Sequence, residues 1–247
     1  MCTVTYIPVG GEIYITSNRD ERRTRQTASD PAVYEGTTGR LLFPKDAQAG
    51  GTWIAVHDKG HALVLLNGAW ERHSQQGPYR RSRGLILLDL ADSRSPLQQF
   101  RDIDLTGIEP FTGIWLEERQ LHECRWDGIN KHHRHPDEAK PHIWSSVTLY
   151  DPEVIDKRKA WFREWIHAHP NPSQDEILRF HRFTGDGDPH NDLLMNRDGL
   201  MLTVSITSIR HTDSGAYMRY LDIPSRRTET GELQWVPGLK RQDAEHH

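Results

Sequence analysis

Thr3-Val4-Thr5-Tyr6-Ile7-Pro8-Val9-Gly10-Gly11-Glu12-Ile13-Tyr14-Ile15-Thr16-Ser17 is the stretch whose reading decides the fold. Two runs rich in β-branched and aromatic residues flank Gly10-Gly11, and a two-glycine turn can take the positive φ that a tight hairpin demands. The expectation is a β-hairpin, Thr3 to Val9 against Glu12 to Ser17. If Val9 faces Glu12, counting back puts Cys2 opposite Arg19, between Asn18 and Asp20. A thiol is thereby brought beside the polar cluster Asn18-Arg19-Asp20-Glu21, which is read as the end of the strand.

Working outward, Thr52 to His57 and His61 to Asn67 flank the turn Asp58-Lys59-Gly60 and form a second expected hairpin. Ser82 caps an expected buried helix through Ala91, and Ser95-Pro96 opens another over Leu97 to Ile103. Phe111 to Leu116 and Gln120 to Trp126 read as a strand pair, followed by a polar, His-rich loop over residues 127 to 142. Asp151-Pro152-Glu153 opens the clearest helix, with Val154, Trp161, Phe162, Trp165 and Ile166 spaced for one apolar face. Ser173 and Glu176 make a capping box for the next helix. Leu200 to Ile209 and Ala216 to Ile223 are late strands. Strands at both ends, helices between them and no βαβ alternation predict an α+β fold of mainly antiparallel sheets, with the helices from Ser82 and Asp151 on the outer faces.

The 247 residues are read as a single domain, with no linker or internal repeat. Lys and Arg number 31 against 35 Asp and Glu, which leaves no basic excess to neutralise a phosphate backbone, so nucleic acid is not the expected partner. Mean hydropathy is -0.75, and no apolar run approaches the ~18 residues of a membrane-crossing helix. Two cysteines exclude a disulfide framework. The N-terminus lacks the basic start and apolar core of a signal peptide, so a cytoplasmic protein is the expectation.

Cys2 is the sharpest chemical feature. Removal of Met1 would leave a cysteine whose free α-amine sits beside its thiol. An α-amine titrates near 8 and a thiol near 8.5, so one residue can serve as nucleophile and base together. A carboxylate at Asp20 would orient the protonated amine, and an Asn at position 18 could donate to a developing oxyanion.

Cys2, Asn18-Arg19-Asp20-Glu21, Gly50-Gly51-Thr52-Trp53, Leu66-Asn67 and Ser82-Arg83-Gly84 follow the order and spacing of the NRDE family, whose eukaryotic members are the transport and Golgi organisation proteins. The family resembles the N-terminal-nucleophile hydrolases, the group of choloylglycine hydrolase and penicillin V acylase. That resemblance implies a four-layer αββα sandwich and amide-bond hydrolysis by an N-terminal Cys, with Asn67 matching the oxyanion-hole Asn of the second hairpin. Where those amidases carry Arg-Asn-x-Asp, this chain has Ser17-Asn18-Arg19-Asp20, so Arg19 is the arginine left to face Cys2.

Two functions follow as expectations. The first is a cysteine amidohydrolase of a small amide, with Cys2, Asn18, Arg19, Asp20 and Asn67 as its site and no metal or organic cofactor required. The second is a non-catalytic carrier of haem or an acyl lipid on the same scaffold. Lys131-His132-His133-Arg134-His135 is read as a solvated loop, its cations disfavouring a dication. Asp186 to Asp192 lacks the spacing of a calcium loop, and Cys124 reads as a packed thiol.

Overall fold

The computed structural model describes residues 3–72 and 77–237. In chain order the first elements are β1 (Thr3–Val9), β2 (Glu12–Arg22), β3 (Ala32–Glu35), β4 (Arg40–Phe43), β5 (Ile54–His57) and β6 (Ala62–Asn67). Then come α1 (Arg83–Ala91), α2 (Pro96–Asp102), β7 (Phe111–Glu117), β8 (Gln120–Trp126), β9 (Lys131–Arg134) and β10 (His142–Ser145). The chain closes with α3 (Pro152–Ala168), α4 (Gln174–Phe183), β11 (Asn196–Arg197), β12 (Met201–His211), β13 (Gly215–Asp222) and β14 (Arg227–Gln234).

The Gly10-Gly11 turn takes φ of 58° and 87°, and from it the register runs unbroken from Val9 opposite Glu12 to Thr3 opposite Asn18. β2 runs past Ser17, the last residue of the expected hairpin strand, and the polar cluster forms its end. The strand continues through Asn18, Arg19, Asp20 and Glu21 to Arg22, paired along that length with β12. Polar residues persist in this strand because each finds a specific partner, so the alternation of apolar residues breaks while pairing continues past a bulge at Val204 of β12.

Two seven-stranded sheets result, in the orders β10-β1-β2-β12-β13-β14, with β11 on β12, and β3 through β9 in sequence. Each of the strand pairs is antiparallel. Val4, Tyr6 and Ile15 of the first sheet meet Val56, Leu66 and Ile114 of the second in a shared core. Ile86, Leu90 and Phe100 of α1 and α2 cover the outer face of the second sheet over Leu63 and Trp115. Phe162, Ile177 and Phe180 of α3 and α4 cover the first over Ile7 and Tyr14. This is an αββα arrangement, with each fully buried large apolar side chain contributing about 1.5–3 kcal/mol.

The helix starts follow their caps. Ser82 accepts from Leu85 N at 3.4 Å, Ser95 accepts from Gln98 N ahead of Pro96, and Ser173 and Glu176 complete both halves of their capping box. α3 departs from its apolar reading. Phe162 is buried, but so is Arg158, whose guanidinium lies 3.6 Å from the Tyr150 ring centroid and bonds Thr3 Oγ1 and the Asn191 and Asp192 carbonyls. The loop expected over 127 to 142 contains β9 and the start of β10, formed because Glu123, Cys124, Arg125 and Trp126 offer β9 a free strand edge. No helix of the described residues is long and apolar enough to cross a membrane.

Candidate functional site

A cleft of about 870 Å³ opens where the C-terminal part of β2, the segment from Asp46 to Trp53, the end of β6 and the start of α1 converge. Gly51 and Gly84 make the convergence. A Cβ on Gly51 would stand 2.6 Å from Leu85 N and closer still to the Gly84 carbonyl carbon, while Thr52 N donates to Gly84 O at 3.2 Å. Only a residue without a side chain lets the two backbones approach this far.

Arg19 points into this cleft from β2 and is 3% exposed. Its Nη2 donates to Asp46 Oδ2 at 2.6 Å, Glu21 Oε1 lies at 3.4 Å, and its guanidinium carbon stands 4.6 Å from the Trp53 ring centroid. Arg25 holds the same Asp46 oxygen at 3.0 Å. The other oxygen accepts from the backbone N–H groups of Gln48 and Ala49. Burial pushes the Asp46 carboxyl upward, but the Ala49 N–H and the two arginines outweigh it and hold the group below the ordinary carboxylate range.

Asp20 lines the same cleft. It accepts from Tyr150 Oη at 2.7 Å on one oxygen and from Thr203 Oγ1 at 2.5 Å on the other. Tyr150 lies beneath Arg158, so a chain of contacts runs from Asp20 through Tyr150 and Arg158 to Thr3 Oγ1, at the first described residue of β1. A carboxylate oxygen has two lone pairs, which leaves Asp20 able to accept a further donor. Asn67 ends β6 on the opposite wall, its backbone oxygen fixed by Ser146 Oγ at 2.8 Å. Its side-chain amide has no hydrogen-bond partner among the described residues.

Asn18 does not join them. By strand alternation it shares the helix-covered face with Asp20, but it sits two residues nearer the hairpin turn, outside the cleft lining, where Nδ2 donates to the carbonyls of His181 at 3.1 Å and Leu193 at 2.6 Å, and Oδ1 faces His181 Nδ1 at 2.6 Å. Thr5 Oγ1 lies 2.7 Å from the other ring nitrogen. Burial, then the charge of Arg158, pushes His181 down to about 3, so the ring is neutral, donating to Asn18 and accepting from Thr5. Asn18 as an oxyanion donor is therefore corrected: both of its amide protons are committed to anchoring α4 and Leu193 to β2. Cys2 lies outside the described residues.

Asp46, Trp53, Tyr150 and Arg158 escaped the sequence reading as partners of the polar cluster. Each is distant in sequence from Arg19 or Asp20, and nothing local marks a buried arginine inside an amphipathic helix. Cys124 is a fully buried residue under α1 and α2, its thiol raised far by desolvation. Asp186, Asp188 and Asp192 bond Lys157, Asn191 and loop backbone, as a loop does.

Residues 2–198 match the family described as Transport and Golgi organisation 2. Comparison with curated protein sequences finds no match. Among solved structures, a mutant of conjugated bile acid hydrolase from Clostridium perfringens superposes with TM-score 0.57 at 10% identity, covering 96% of this chain and 97% of the hydrolase. A second variant of that hydrolase gives 0.57 at 11%, covering 98% and 100%. The N-acylethanolamine-hydrolyzing acid amidase ortholog of Caenorhabditis elegans gives 0.55 at 13%, covering 84% and 92%. At such identities the likeness establishes the fold, that of the N-terminal-nucleophile hydrolases.

Proposed function

Because the chain belongs to the Transport and Golgi organisation 2 family, and its fold is that of amide hydrolases, we propose that it is a cysteine N-terminal-nucleophile amidohydrolase acting on a small amide. The observation that carries this reading is the cleft itself, which gathers Arg19, Asp20 and Asn67 on its walls. The unbroken register from Val9–Glu12 to Thr3–Asn18, which brings the residue after Cys2 to the strand position before Arg19, supports a nucleophile at Cys2.

In this mechanism Met1 is first removed. The Cys2 α-amine takes the thiol proton and Sγ attacks the amide carbonyl carbon. The oxyanion accepts a hydrogen bond from Asn67 Nδ2, and Asp20 holds the resulting ammonium with its spare lone pairs. Collapse breaks the C–N bond, the ammonium protonates the departing amine, and a thioester is left on Cys2. Water, deprotonated by the same α-amine, releases the acid and restores the thiol. Arg19 keeps the potential positive where thiolate and oxyanion form, while Asp46 and Trp53 fix its orientation. Arg22 and Arg72 also line the cleft, so an amide bearing an acidic group fits best.

The test is release of free amine from N-acyl amino acids of graded acyl length, using protein shown by intact mass to lack Met1. Turnover should vanish in Cys2→Ala and fall by about 10²–10³ in Asn67→Ala. Turnover that survives Cys2→Ala would overturn the assignment. Stoichiometric binding without turnover, in protein that keeps Met1, would instead favour a carrier.

A further inference from the structure

β9 is the edge strand of the second sheet, and His133 on it lies directly opposite Cys124 of β8, on the face that α1 and α2 cover. His122 of β8, the direct partner of Trp115, shares that face. His135 follows β9 by one residue, where the chain leaves this sheet for β10 in the other. His122 Nδ1 lies 3.1 Å from His133 Nε2, and the ring centroids of His122 and His133 stand 4.7 Å and 4.4 Å from that of His135. One nitrogen from each of the three rings falls within 4.8 Å of the others. None of them lines the cleft, and none takes part in the chemistry proposed there.

We propose that His122, His133 and His135 form a binding site for a divalent transition ion of the zinc class, held by three imidazoles and completed by solvent. Two ligands on a tetrahedral ion with bonds of about 2.0–2.1 Å stand about 3.3 Å apart, close to the spacing of His122 and His133. His135 is exposed, so an ångström-scale rotation of its side chain brings it to the same point. Imidazole donors without thiolate or carboxylate select zinc, nickel or copper over magnesium or calcium. The cations that flank these histidines in sequence are engaged by other partners. Lys131 Nζ donates to the Arg101 carbonyl at 2.7 Å, and Arg134 pairs with Glu123 on the opposite face of the sheet. Arg101 acts electrostatically on His122 and His133, and it is exposed. An ion here would clip the edge strand to its neighbour and fix the crossing between sheets, a stabilising device rather than a reactive centre.

The test titrates ZnCl₂ into the full chain by calorimetry, with CoCl₂ as the spectroscopic probe. One ion per chain, tetrahedral cobalt bands and a Zn²⁺-dependent rise in melting temperature are expected. His133→Ala/His135→Ala, on an edge strand and its exit where folding is least at risk, should lose affinity by about 100-fold, at or beyond the loss from removing a group that only orients a ligand. His246→Ala/His247→Ala should bind as the unaltered chain does. Absence of stoichiometric uptake, or uptake unchanged in His133→Ala/His135→Ala, would overturn the proposal, and so would uptake lost only with His246 and His247.

Discussion

Arg19 and Asp46 meet at 2.6 Å inside the cleft, 27 residues apart in sequence, and join the central strand of one sheet to the loop between β4 and β5 of the other. Arg19→Met would leave Asp46 with Arg25 and two backbone donors, whereas a buried pair broken outright costs about 3–5 kcal/mol. The expected loss in urea denaturation is the lower end, about 3 kcal/mol. A double-mutant cycle with Asp46→Asn should give a coupling of about 1–3 kcal/mol. Additive losses would mean that the pair does not act as a unit.

Gly51→Ala places a methyl group against the backbone of Gly84 and Leu85, which cannot swing aside as a side chain would. A destabilisation of about 1–3 kcal/mol is expected. It should come with weaker substrate binding, because α1 and the Trp53 segment are forced apart at the cleft. Unchanged melting temperature and KM would contradict the close approach.

The two asparagines separate structure from chemistry. Asn18→Ala strips two carbonyls and a buried imidazole of their partner and should cost about 1–3 kcal/mol of stability. Asn67→Ala, at a half-buried strand end, should leave melting nearly unchanged while reducing turnover. A reversed pattern would exchange their roles.

The hairpin, both capped helices of the first half and the late strands were legible because their signals are local: a glycine turn, a Ser cap, an alternating run. The four-residue strands β3, β4 and β10 and the longer, polar β14 carry no such signal, and they form because a neighbour offers an edge. Arg19 and Asp20, singled out by the hairpin register, and Asn67, singled out by the family resemblance, line one cleft. Asn18 was misassigned because a polar residue in a strand declares neither its face nor its partner, and it is His181 of α4 and Leu193, more than 150 residues later, that take up its amide. The histidine group escaped for the same reason, since His122 belongs to a different strand from the run it completes.

Acid should weaken the fold before its carboxylates protonate. Burial holds His181 at about 3 and His61 and His122 at about 4 in the folded chain, below the ordinary 6.5. Below 6.5 the unfolded chain therefore binds protons that the folded one refuses, so stability is full above that pH and falls as pH drops toward 4. Each group contributes up to about 1.4 kcal/mol per pH unit in that window. The urea midpoint should decline between pH 6.5 and 5, and a flat profile there would contradict neutral burial of these rings.

The amidase reading stands on Cys2, and the most direct measurement is limited alkylation at neutral pH with peptide mass mapping and parallel assay of turnover. Cys124 is fully buried with a strongly raised thiol, so it should stay unmodified while the fold is intact. The account predicts label on Cys2 alone, with amide turnover lost in proportion to its modification. Label on Cys124 in preference to Cys2, or full turnover with Cys2 modified, would contradict it.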